Sequence, residues 1–225
     1  MMQRKNTLYI GGIPYTVVEV DAISKVSKDG DRVLCAIVDM VGRTIRTWKD
    51  PVNESYWHSM FHEILHALTD SFKIGCLDDQ DEKKHDDLDR LAALFCDFIF
   101  RNNILQKTHQ QIARDGLNIV GKPYIVNLYD TTEEISNDPG RDEFFSVDYY
   151  KRIIKLYKDP TAEGFLQNLL FVALTCIIAD INIESFTAED KEKRTEDIQR
   201  LASGLMDVFF RNGFMGGDKK KCKKK

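Results

Sequence analysis

The spacing of apolar positions changes period along this chain, and it does so twice in the same order. Positions 8–10 and 15–20 alternate in twos around Gly11-Gly12-Ile13-Pro14, as two half-buried strands joined by a turn would. Positions 33–40 and 44–48 alternate again and turn at Gly42, which predicts a hairpin. The period then lengthens. Trp57, Met60, Phe61, Ile64, Leu65, Leu68 and Phe72 recur every three or four residues, the spacing of one helical face. Asp50-Pro51 is the expected start, with Asp capping and Pro at the first helical position. Residues 73–82 contain Gly75 and four acidic side chains and read as a loop. Leu88, Leu91, Ala92, Phe95, Phe98 and Ile99 then mark a second helix.

The second half repeats the first. Leu8, Gly12, Pro14, Tyr15 and Val17 return as Leu117, Gly121, Pro123, Tyr124 and Val126, and Trp48-Lys49-Asp50-Pro51 returns as Tyr157-Lys158-Asp159-Pro160, at an offset of 109. After one inserted residue, Arg90-Leu91-Ala92 matches Arg200-Leu201-Ala202, and Phe100-Arg101-Asn102 matches Phe210-Arg211-Asn212. Collinear matches over this length mark a tandem duplication, and each copy falls within the usual domain size. The expected class is α+β: two tandem minimal units, each a small antiparallel-rich sheet followed by two helices. The first occupies residues 1–105, a connector 106–116, the second 117–216, and a disordered lysine-rich tail 217–225.

Charge and cysteines narrow the setting. The net charge of −4 hides six lysines between Lys219 and Lys225, so the rest of the chain carries −10. An acidic body argues against a nucleic-acid-binding body and leaves only the tail for nonspecific contact. The five cysteines, Cys35, Cys76, Cys96, Cys176 and Cys222, are scattered and form no C-x-x-C pair, which suits free thiols in a reducing compartment. The N-terminus has no apolar signal core, and the apolar run 169–179 is short for a bilayer span. The expected location is the cytoplasm, with no membrane partner.

The candidate chemistry lies in the first long helix. His62-Glu63-x-x-His66 puts two imidazoles on one helical face with a carboxylate beside the first, a zinc-binding arrangement with a general base. A catalytic zinc needs a third protein ligand and an open position. The metzincin continuation is absent, since Thr69 and Phe72 stand where its Gly and His would be. Projecting the second helix's apolar stripe backwards from Leu88 and Ala92 selects His85, with Asp86 and Asp87 turned away and Asp78, Asp81 or Asp89 as fallback ligands. His58 lies a turn before His62 and is assigned to the rim or to substrate contact, as is Tyr56, the one candidate for an oxyanion donor. Cys76 could instead close the site as a fourth ligand, making the metal structural and the protein a zinc-stabilised binding module.

A strand-rich start, a helix with His62-Glu63-x-x-His66 and a second helix reading His85-x-x-Leu88-Asp89-x-Leu91-Ala92 resemble the small zincin-like metallopeptidases of phages and bacteria. The ImmA/IrrE-type proteins are distant relatives in that resemblance, which covers most of residues 8–105. Those families place a glutamate third ligand where His85 falls here. The resemblance implies a zinc-dependent peptidase acting on a peptide or protein substrate, in the host cytoplasm for a phage-encoded member. Glu63 would be the base, His62, His66 and His85 the zinc ligands, and a strand within 33–48 the peptide's edge-pairing partner. The second copy has Phe171, Val172, Thr175 and Thr195 at the four site positions, so it is expected to bind no zinc and to serve structure or recognition.

Overall fold

Two glycines set the geometry of the first hairpin. In the computed structural model, which describes residues 2–29, 32–74, 82–136, 142–182 and 191–215, β1 (Thr7–Ile10) pairs antiparallel with β2 (Ile13–Val20). Gly11 and Gly12 alone form the loop, both at positive φ (56° and 77°), the two-residue turn whose twist matches that of its strands. Ile13 and Pro14 therefore belong to β2, not to the turn. A short pair, β3 (Lys28–Asp29) and β4 (Arg32–Val33), precedes the expected second hairpin of β5 (Ala36–Asp39) and β6 (Thr44–Trp48). The strand anticipated over 33–40 is thus broken at residues 34–35. The sheet order is β1-β2-β6-β5, with β2 and β6 parallel and the other pairs antiparallel.

Helix α1 (Asn53–Phe72) starts two residues later than the Asp-Pro signal suggested. The Asp50 carboxylate accepts a hydrogen bond from the Val52 N–H, so it shapes the entry rather than capping the first turn. α2 (Glu82–Asn102) packs on α1 and completes the unit. The connector contains a helix of its own, α3 (His109–Asp115), with a Thr108–Gln111 capping box. The second unit repeats the plan: β7 (Leu117–Ile119), β8 (Lys122–Tyr129), β9 (Phe145–Asp148), β10 (Ile153–Tyr157), α4 (Ala162–Ile181) and α5 (Lys191–Arg211), in sheet order β7-β8-β10-β9.

The units share one core, and the sharing is reciprocal. α1 packs on α5 and α2 on α4, and Phe61, Phe95 and Phe209 from three helices meet with ring centroids 5.4–6.3 Å apart. α5 comes so close to α1 at Gly204 that a Cβ there would lie 2.8 Å from Leu68 and Phe72 side-chain carbons. α4 is long and apolar enough to cross a membrane, yet Leu169, Leu170, Val172, Ala173, Leu174 and Ile177 are buried within this core.

Each unit's outer strand is clasped by the other unit's last helix. Asn102 accepts from the Asn118 N–H at 2.6 Å and donates to its carbonyl at 2.8 Å. Asn212 does the same to Tyr9, both bonds at 2.9 Å. A side-chain amide thus stands in for a neighbouring strand and blunts the exposed edge of β7 or β1. Asn102→Ala strands one backbone N–H and one carbonyl, which costs about 1–3 kcal/mol. Urea unfolding of the full chain should show that loss of stability, with a comparable loss for Asn212→Ala.

Candidate metal centre

α1 is buried on most sides, including Tyr56, Trp57, Met60, Phe61, Ile64, Leu65, Ala67 and Leu68. That burial fixes its rotation and sets His62 and His66 on the line facing the start of α2. There the first turn of α2 presents His85. The three rings lie with centroids 4.5, 5.1 and 5.3 Å apart. One nitrogen from each falls within 4.8 Å of the other two, and the His62 and His66 Nε2 atoms are 2.9 Å apart. A tetrahedral zinc ion separates its ligand atoms by about 3.4 Å, so small ring rotations suffice to seat one ion. Three imidazoles are a donor set suited to zinc.

The charges around the cluster favour ligation. Burial, then the neighbouring His62 and His85, push the His66 imidazole down to about 3, which keeps its nitrogen lone pair available. Burial also acts on His62, but the short contact with Asp89, and the Glu63 and Asp89 charges, outweigh it and raise its affinity for a proton. Asp89 Oδ1 lies 2.6 Å from His62 Nδ1 as an ion pair without full hydrogen-bond alignment. Its place is behind the ligand, where a carboxylate orients the ring and leaves Nε2 for the metal. Asp89 therefore stands outside the set of converging nitrogens. The sequence signal for this role was its position one turn after His85.

Glu63 is 5% exposed. Burial raises its carboxyl to about 7, against the opposing effects of His62 and a hydrogen bond from the Val38 backbone. Val38 belongs to β5, the edge strand, and its neighbours Ile37 and Asp39 face β6 partners Arg46 and Thr44. Among the described residues β5 pairs with β6 on one side only, so its second edge runs past Glu63.

The remaining candidates divide. His58 reaches solvent one turn from His62, and partial shielding of its ring, together with His62, lowers its proton affinity against the pull of Asp89. Tyr56 is elsewhere: its ring is buried, the Arg4 guanidinium stacks 4.1 Å from its centroid, and the Glu19 carboxylate near its hydroxyl adds to burial in raising its pKa. It offers no hydroxyl to the histidine cluster. Asp87, expected to face outward, is 4% exposed and pairs with Arg90. Its repeat Asp197 is buried in the same way beside Arg200. Cys76, Asp78, Asp81 and the lysine tail lie outside the described residues, while Cys35, Cys96 and Cys176 are free thiols.

The second unit shows what replaces the cluster. Phe171 stands at the His62 position and meets Phe145 edge to face at 4.9 Å, where the first unit has Ala36. Val172, at the Glu63 position, is fully buried. The Thr175 hydroxyl, at the His66 position, donates to the Phe171 carbonyl within its own helix. Hydrocarbon thus takes up the space left by imidazole and carboxylate. Among the described residues, no second group of metal-ligating side chains accompanies the first.

Comparison with family models, with curated proteins and with solved structures finds no match to this chain.

The buried Glu63 gives the metal-free protein a specific pH response. Its folded pKa of about 7 lies above the carboxylate's ordinary value, so its stabilising contribution is full below pH ~4.5 and is lost as pH rises through about 7. Glu63→Gln removes that loss. In zinc-free protein the variant should gain on the order of 1–3 kcal/mol over wild type between pH 5 and 8, measured by urea unfolding at each pH. An identical difference at both pH values would refute the buried-carboxyl account.

Proposed function

We propose that this protein is a zinc-dependent metallopeptidase of zincin-like type, with the first unit catalytic and the second structural. The observation that carries the proposal is the convergence of three imidazole nitrogens beside a buried carboxylate. His62, His66 and His85 would hold the ion, and Asp89 would orient His62. Zinc in such a site supplies a Lewis acid and activates a water at its open position.

The rest is done by the chain. Glu63, buried next to the ligand His62 and against the edge of β5, accepts a proton from the attacking water and returns it to the leaving amine. The free edge of β5 holds an extended peptide by main-chain hydrogen bonds, so that its carbonyl lies over the cluster. His58 lines the approach. The second unit would cover the core faces that α1 and α2 otherwise expose, and its filled site agrees with a unit relieved of chemistry. Free thiols and a buried α4 favour an intracellular setting, the cytoplasm.

Zinc content and turnover of a quenched-fluorescence peptide library test the proposal together. Wild type should carry one zinc per chain and cleave. Glu63→Gln should keep the zinc and lose activity by at least about a thousandfold, the scale of removing an essential base. His85→Ala should lose zinc affinity by orders of magnitude. Zinc retained by wild type without any cleavage would instead favour a zinc-stabilised binding module, and full activity in Glu63→Gln would exclude the proposed base.

A further inference from the structure

A groove beside the histidine cluster is open in the first unit, and its counterpart is bridged in the second. The open groove encloses about 610 Å³ between α1, α2 and the residue preceding β5, and Cys35, Glu54, His58, Ala93, Cys96 and Phe100 border it. In the second unit the matching positions hold Phe144, Glu163, Gln167, Ser203, Met206 and Phe210. There the Gln167 amide donates to the Ser203 hydroxyl at 2.8 Å and ties α4 to α5. Ala93 has no polar group with which to make that tie. Phe144 and Met206 are also bulkier than the two cysteines they match. The unit without metal ligands has its groove crossed by that side-chain pair. In the first unit the tie between the helix walls is the Cys96 thiol, which donates to the Glu54 backbone carbonyl at 3.8 Å. That tie leaves both positions of the Gln167–Ser203 bridge, His58 and Ala93, open.

The elements that wall the groove also carry the candidate centre. On α1, His58 lies one turn before His62, about 6 Å along the axis. On the sheet side, Cys35 precedes β5, and three residues of strand, about 10 Å, lead to Val38 beside Glu63. Ala36 and Val38 turn toward the helices while Ile37 and Asp39 are exposed. A peptide strand laid on that edge presents alternate side chains to the same face. With its scissile bond near Glu63, the side chain about two residues away meets the groove.

Chemistry selects the side chain. Ala93, Cys96 and Phe100 supply an apolar wall, and Asp50 and Glu54 supply carboxylates. Arg101, the cation of the lining, is held by Asp97 at 2.8 Å. Asp50 keeps one carboxylate oxygen on the Val52 N–H, so Glu54 and the second Asp50 oxygen are the groups that face an incoming positive charge. Building on the metallopeptidase reading, we propose that this groove is a substrate subsite for a lysine or arginine side chain about two residues from the cleaved bond. The methylenes lie along the apolar wall and the cation reaches Asp50 and Glu54, as long basic side chains do at amphipathic surfaces.

The test uses the zinc-loaded full chain with Glu63→Gln and fluorescein-labelled alanine-rich octapeptides carrying one Lys, norleucine or Glu, read by anisotropy. The Lys peptide should bind at least tenfold more tightly than the Glu peptide, with norleucine between. Adding Glu54→Lys should abolish that preference. Adding His58→Gln with Ala93→Ser, which rebuilds the second unit's bridge, should weaken Lys-peptide binding about tenfold while zinc content stays at one per chain. Equal binding of Lys and Glu peptides, no binding of any peptide, or a bridge variant that binds like its parent would overturn the subsite. Selective binding of the Lys peptide with no cleavage by wild type would leave the subsite standing and remove the catalytic reading. Cleavage by wild type with no preference for a basic side chain would do the reverse.

Discussion

The burial of α1 is the constraint on which the rest of the structure depends. It is packed by its own sheet, by α2 and by α5, so its rotation admits no adjustment at His62 and His66. Burying titratable groups costs free energy unless partners or a metal offset it. Glu63 carries that cost as a raised pKa and His66 as a lowered one. Asp89 offsets part of it at His62. In the second unit the same helix position is hydrocarbon, and no such cost arises. The two halves therefore display two solutions to one packing problem, one suited to ligation and one to stability.

Duplication also explains how units this small stay folded. A sheet of four strands under two helices leaves one helix face and both strand edges uncovered, of which the partner unit covers one. Each unit covers the other's helices, and Asn102 and Asn212 cover the edges of β7 and β1. The arrangement is that of a two-fold dimer written into one chain, in which a contact made once is made again in reverse. Once both copies are joined, only one needs to keep a functional site. The other can fill its cavity and bridge its groove, as Phe145, Phe171, Gln167 and Ser203 do.

Much of this was legible in the residues, and the exceptions share a cause. Period-two and period-3.6 patterns located the β1–β2 and β5–β6 hairpins and both long helices of each unit, because burial of one face dictates them. The stripe projected back from Leu88 brought His85 to the side of α2 that the structure turns toward His62 and His66. What escaped were features decided by tertiary partners. Tyr56 is drawn to Arg4 and Glu19, which are distant in sequence. Asp87 is buried beside Arg90, and Asp89 finds His62 across a helix pair. The Asn clasps join residues 16 and 203 positions apart. Helix α1 began late because the Asp50 carboxylate served the Val52 N–H instead of a helical one. No local pattern carries such information.

The central claim is that three imidazoles of the first unit hold one zinc ion with a position left open. X-ray absorption at the zinc edge, on the full chain reconstituted with one equivalent of zinc, measures that directly. The account predicts a four-coordinate shell of three imidazole nitrogens and one oxygen, with imidazole scattering reduced in His85→Ala. A sulfur atom in the shell, or a spectrum unchanged by His85→Ala, would contradict it.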